Sequence, residues 1–163
     1  MSHKSREKPK KKILIVVGLV ALSLGMIIFL ARAPSASGSL TGLKAIVYRS
    51  ATCGCCANYV TYLKRAGADI EDKITEDMTA IKKEFGIPAD LGSCHTTRIG
   101  NYTVEGHMPV EAIQKLLQDK PQISGIALPQ MPSGSPGMPG PKFGKFDISG
   151  FTAGGSASPY LSL

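Results

Sequence analysis

Apolar positions along the chain change their period several times, and each change predicts an element. Residues 13–31 (ILIVVGLVALSLGMIIFLA) are apolar on every side and uncharged. These 19 residues, at about 1.5 Å of rise each, cross a hydrocarbon core of roughly 30 Å. The run therefore predicts one N-terminal transmembrane helix, since a core helix of a soluble domain shows a polar face. Residues 32–42 are mostly small and polar and read as a flexible linker. From about Leu43 to residue 163 the pattern is that of a mixed domain. Residues 43–48 (LKAIVY) predict a buried strand. Cys55, Cys56, Val60, Leu63 and Gly67 then recur at helical spacing, with Lys64 and Arg65 in the last turn and Gly67 as the stop.

Residues 68–74 predict a second strand. Thr75 suits a helix start, with Glu76 and Asp77 facing the positive end of the dipole. Met78, Ile81 and Phe85 form that helix's apolar stripe, which Gly86 and Pro88 terminate. Residues 94–99 and 102–105 predict a hairpin turned by Gly100-Asn101. Pro109 opens a last helix with Val110, Ile113 and Leu117 on one face, closed by Pro121. The domain is thus of the α/β class, in the order β-α-β-α-β-β-α. After it comes a Pro/Gly-rich loop over residues 129–144, and residues 143–151 with the chain's last few residues suggest an edge hairpin.

Composition narrows the function. Hydrophobic residues are 43% and charged residues 19% of the 163, enough apolar content for a core and too much for a disordered or collagen-like chain. The formal charge of +7 is concentrated in residues 1–12, where six Lys/Arg face only Glu7 and leave +5. The remaining residues carry 13 Lys/Arg against 11 Asp/Glu. A nucleic-acid-binding domain keeps its positive charge on the fold, so nucleic acid is excluded as a partner. A basic tail ahead of an apolar run leaves the N-terminus in the cytoplasm and sends the domain across the membrane. Ala31-Arg32-Ala33 has the small-x-small form of a cleavage site. The apolar run is longer than a typical signal core, which favours an uncleaved inner-membrane anchor, and the domain is exported on either reading.

The chemistry rests on four cysteines, all within residues 53–94, three of them in the run Cys53-Gly54-Cys55-Cys56. In an exported domain they allow three disulfide pairings. A bridge between Cys53 and Cys56 closes almost no loop and constrains the unfolded chain little, so the clustering points to reactivity or metal. The run also falls at a strand-to-helix junction, where free N–H groups and the helix dipole favour thiolate, both nucleophile and soft-metal ligand. His95 follows Cys94, and His107-Met108 precede the last helix. Cys94 and His95 share a site only if the strand is irregular there, because neighbours on a strand point to opposite faces. Met131 and Met138 lie in the Pro/Gly loop, which is either a flap over the site or solvated.

Cys53-Gly54-Cys55-Cys56, Ser93-Cys94-His95-Thr96, Val104-Glu105-Gly106-His107-Met108-Pro109 and the Met131-to-Met138 stretch together resemble the CopG-like family of exported metal-binding proteins of bacterial copper resistance. The resemblance covers about residues 43–163. It implies a thioredoxin-like fold and Cu(I) held by Cys53, Cys55, Cys56 and Cys94, with contributions from His95 and His107. Met108 is the remaining candidate ligand. Cys53 and Cys56 also form the Cys-x-x-Cys of a thioredoxin layout, but Ser93-Cys94 stands where thioredoxins place a cis-proline. That exchange supplies a third thiol and removes a group used for substrate positioning. Two functions follow: copper binding in resistance or homeostasis, with other periplasmic copper-handling proteins as partners, or thiol–disulfide exchange on exported proteins through Cys53 and Cys56. A copper-dependent redox enzyme would combine them. Thiolates select Cu(I), and a bridging thiolate holds more than one ion. Zinc is the second choice, since structural zinc sites use two spaced Cys pairs.

Overall fold

The computed structural model describes residues 39–163. The expected tail at 1–12, the span at 13–31 and the linker as far as residue 38 lie outside them. Among the described residues no helix is long and apolar enough to cross a membrane. The folded body starts before Leu43: Leu40 is buried, and its N–H donates to the Ala66 carbonyl at 2.7 Å. The end of the expected linker therefore belongs to the domain, because one large apolar side chain among small polar ones found a place in the core.

Strand β1 (Lys44–Arg49) buries Ala45 and Val47 on one face by simple alternation. Helix α1 (Gly54–Arg65) turns Cys56, Tyr59, Val60 and Leu63 inward. Strand β2 (Asp69–Ile74) pairs parallel with β1, and its charged, largely exposed side chains suit the edge it occupies. Helix α2 (Met78–Glu84) starts two residues later than Thr75 suggested. Asp77 is its cap, accepting from Ala80 N–H at 2.8 Å, while Thr75 Oγ1 accepts from Asp77 N–H at 3.2 Å. None of its residues is fully buried. A short 3₁₀ turn, Ala89–Leu91, not expected from the pattern, leads to β3 (His95–Ile99) and β4 (Tyr102–Glu105), the predicted hairpin. Helix α3 (Val110–Asp119) follows Pro109 and ends at Lys120, whose φ of 47° stops the helix ahead of Pro121. Leu116 rather than Leu117 is its innermost leucine.

Three further strands complete the sheet: β5 (Gly125–Ala127), β6 (Asp147–Phe151) and β7 (Ala157–Ser162). The last two are the suggested hairpin. The first, three residues long, was too short to produce a recognisable period. The strand order is β2-β1-β3-β4-β5-β6-β7, with β1/β2 and β4/β5 parallel and the other neighbours antiparallel. The described residues form a mixed α/β fold with a seven-stranded sheet and three helices.

Two apolar clusters lie on opposite faces. The larger joins Tyr59, Val60 and Leu63 of α1 and Ile113 and Leu116 of α3 to Val47, Ile99, Val104, Ile126 and Ile148 of the sheet. Each such side chain contributes about 1.5–3 kcal/mol on leaving water. The smaller gathers Ile87, Leu91, Ala127 and Phe151 with Phe85.

Candidate metal centre

Cys53 is the N-cap of α1, with extended backbone and no capping side-chain bond, so Cys55 and Cys56 occupy the first helical turn. Cys53 and Cys56 are joined in a disulfide, and Cys55 and Cys94 are free thiols. Cys55 Sγ lies 3.5 Å from Cys53 Sγ, and Cys56 Sγ lies 3.8 Å from the Cys94 carbonyl oxygen. All four sulfurs fall within 4.8 Å of one another. Cys94, about 40 residues away in sequence, reaches them because β1 pairs with β3 and brings the start of β3 beside the end of β1.

β3 begins at His95, so Cys94 sits in the turn before it and escapes the alternation that separates strand neighbours. Both side chains consequently face the same space, with Cys94 Sγ 3.4 Å from His95 Nδ1. His107, from the segment between β4 and α3, brings Nε2 to 3.1 Å from the same sulfur. Cys94, His95 and His107 form a second donor group within the same 4.8 Å limit. Cys94 belongs to both groups.

The protonation states suit a soft metal. Nδ1 of His107 lies 2.7 Å from the Pro136 carbonyl, which only accepts, so Nδ1 carries the proton and Nε2 offers a lone pair. Burial pushes the His107 pKa below its ordinary value, and only the Pro136 carbonyl opposes this. Burial depresses His95 further, assisted by His107 and by the positive charges of Lys82 and Arg49. Both imidazoles are neutral near pH 7. His95 Nε2 is buried without a hydrogen-bond partner, a cost that metal ligation would offset. The Cys94 thiol is pushed up to about 12, mainly by burial and then by Cys55. The metal-free fold therefore keeps Cys94 protonated. The dipole argument, which favoured a thiolate at the run 53–56, does not extend to this thiol, because Cys94 lies outside the helix.

Thiol and imidazole make up both donor groups, a set suited to Cu(I) or zinc and unsuited to hard cations. The buried carboxylate nearby, Glu105, is committed to hydrogen bonds and an ion pair with protein groups. Met108 is fully buried in the larger apolar cluster, and its carbonyl accepts from the Tyr59 hydroxyl at 3.1 Å. Tyr59 was missed by sequence reasoning. Its ring packs against both imidazoles, with centroids at 4.4 Å to His95 and 5.6 Å to His107, and forms the apolar wall of the site. Its position three residues after Cys56 was the available signal.

The Pro/Gly loop lies on the site through Pro136 and Gly137. Gly137 has φ +84°, and a Cβ there would stand 2.8 Å from Tyr59 N and 2.9 Å from Cys55 O. Only glycine lets the loop lie this close to α1 while Pro136 reaches His107. Gly137→Ala is expected to destabilise the domain by about 1–3 kcal/mol and to weaken metal binding by about tenfold as His107 loses its fixed tautomer. Thermal unfolding and a chelator competition on the variant measure the two effects. Met131 is exposed and Met138 half-buried in this loop.

The family described as "Protein of unknown function, DUF411" matches residues 91–138, from the end of the 3₁₀ turn to Met138. Two solved structures of "Copper resistance protein copG", forms 1 and 2, are each 38% identical to the chain and cover 74% of it. The matched region spans 97% and 98% of those chains, with TM-scores of 0.68 and 0.69. No curated protein matches the chain.

Proposed function

The chain belongs to the CopG-like family of copper-resistance proteins, and from that premise we propose that it binds copper as Cu(I) in copper resistance. The observation that carries this reading is the pair of soft donor groups sharing Cys94. Cys53, Cys55, Cys56 and Cys94 supply thiolates once the disulfide is open, and His95 and His107 supply neutral nitrogens. A shared sulfur is the natural bridge between ions, so the site takes more than one Cu(I). Met108 and zinc remain the weaker members of the proposal. We read the fold as thioredoxin-like, anchored by residues 13–31 with the domain in the periplasm, where partners would be other copper-handling proteins.

One observation favours a second reading. The closed Cys53–Cys56 disulfide at a helix N-terminus is the arrangement of a thiol–disulfide oxidoreductase. Cu(I) titration of the reduced chain against a colorimetric chelator, beside an insulin-reduction assay on the metal-free chain, separates the readings. Tight Cu(I) binding without insulin reduction supports the first. Insulin reduction without Cu(I) binding replaces it with the second.

The same groups set the pH range of the metal-free protein with the Cys53–Cys56 disulfide closed. Depressed imidazoles are neutral in folded and unfolded chains above about pH 6.5. Below it the unfolded chain takes up protons that the folded chain refuses, so stability falls with falling pH, by up to about 1.4 kcal/mol per unit per histidine. Cys94 acts at the other end. Its raised pKa contributes stability that is fully present below its ordinary 9.0 and is lost as pH rises towards 12. A maximum of the melting temperature between these limits is expected, with the acid side flattened in His95→Gln. A melting temperature unchanged on acidification from about pH 7.5 to 5 would contradict the assignment.

A further inference from the structure

Glu105 ends β4 and is fully buried, yet no part of the donor groups uses it. Its register partner on β3 is Thr96, so the two share the sheet face opposite His95. Glu105 Oε2 accepts from Thr96 Oγ1 at 2.6 Å, and Oε1 accepts from the backbone N–H of Ser93, also at 2.6 Å. Lys82 of α2 donates to Glu105 Oε1 and, at 3.3 Å, to Thr96 Oγ1. Both carboxylate oxygens are thereby engaged. The residue after Glu105 carries the second half of this junction. Gly106 N–H donates to the His95 carbonyl at 3.1 Å. Gly106 has φ +81°, and a Cβ there would stand 2.9 Å from Ser93 Oγ and 2.5 Å from the Leu128 carbonyl oxygen.

These contacts close the open end of the β3–β4 hairpin. Ser93-Cys94 lies on one side of the junction and Gly106-His107 on the other. We propose that Glu105 is a positioning residue: by holding the Ser93 N–H it clamps the two ends of the hairpin together and sets the Cys94 sulfur against the His107 nitrogen. This inference rests on the copper reading for its consequence, and on the hydrogen bonds alone for its mechanism. Its logic is that of an outer-shell group that orients ligands it does not itself replace, a role whose loss typically weakens metal binding by 10–100-fold. Lys82 neutralises the carboxylate and does not hold Ser93.

The substitutions separate these roles. Glu105→Gln keeps an oxygen for Ser93 N–H and Lys82, and its amide can donate to Thr96 Oγ1. Glu105→Asp is one methylene short of Ser93. Lys82→Met leaves the Ser93 bond in place while removing the counter-charge. Cu(I) competition on the reduced full chain is expected to give wild-type affinity within about threefold for the Gln and Met variants, against a loss of about 10–100-fold for Asp. Lys82→Met is expected to lower the melting temperature most. A merely structural ion pair predicts the opposite ranking, with affinity falling alongside stability in Lys82→Met. A second readout needs no metal: the alkylation rate of Cys94 in the reduced, metal-free chain, followed by peptide mass spectrometry, is expected to rise in Asp and to stay near wild type in Gln. Equal affinity and equal alkylation in the Gln and Asp variants would overturn the clamp. A wild-type chain that takes no Cu(I) would instead remove the copper reading, and the alkylation contrast would still decide for or against the clamp.

Discussion

Replacing Cys94 with serine is expected to cost more Cu(I) affinity than any other single substitution in the chain. Cys94 is the one residue common to both donor groups, so its loss takes a thiolate from the four-sulfur set and the only sulfur from the set with His95 and His107. Losing an outer-shell partner already weakens a metal site by 10–100-fold, and a shared ligand should cost at least the upper end of that range. Stability should respond little. Cys94 is a free thiol, so no disulfide is lost. Serine replaces it nearly isosterically, in a turn with partial solvent access. A change in melting temperature within about 3 °C of wild type is expected for the metal-free protein. Chelator competition and thermal unfolding on the same preparations check both halves. Unchanged affinity would remove Cys94 from the site and leave the oxidoreductase reading. A drop of several kcal/mol in stability, the signature of a lost bridge, would return Cys94 to a structural disulfide.

The donor set was legible in the sequence because its parts are side chains with distinctive chemistry. A Cys-x-Cys-Cys run at a helix start, a fourth cysteine followed by histidine, and a histidine ahead of a proline-opened helix each signal themselves. The structure places the donor atoms of Cys53, Cys55, Cys56 and Cys94 in one group and those of Cys94, His95 and His107 in another. What did not show was the part played by backbone. Pro136 fixes His107 through a carbonyl that every residue type possesses, and only Gly137 beside it hinted at a close approach. Glu105 looked like the polar end of a strand, since a sequence cannot say which face of a two-sided sheet is covered. Elements with a clear period were found at nearly their true limits. β5 was missed because its three residues give no period, and the cap of α2 moved from Thr75 to Asp77 because the Asp77 carboxylate takes the Ala80 N–H while Thr75 takes the N–H of Asp77 itself.

The oxidation state of the Cys53–Cys56 pair is expected to set how much metal the site takes. A disulfide sulfur is a poor ligand beside a thiolate, so the closed form offers only Cys55 and Cys94 from the four-sulfur group. The group of Cys94, His95 and His107 has no member in the disulfide and stays intact. Opening the bridge adds two thiolates at the N-terminus of α1, one from the N-cap Cys53 and one from Cys56 in the first turn, where exposed N–H groups favour the anionic form. Reduction with a phosphine, followed by anaerobic loading and desalting, should therefore raise the bound metal per chain above that of the disulfide form. Because Cu(I) can itself donate an electron to a disulfide, silver(I) serves as the probe alongside it: a soft ion of the same charge that cannot reduce the bridge. The double variant Cys53→Ser/Cys56→Ser should load like the disulfide form whether or not reductant is present. Elemental analysis gives the ratio directly. Equal loading of reduced and disulfide forms with silver(I) would mean that Cys53 and Cys56 are not ligands, and would confine the metal to Cys55, Cys94 and the two histidines.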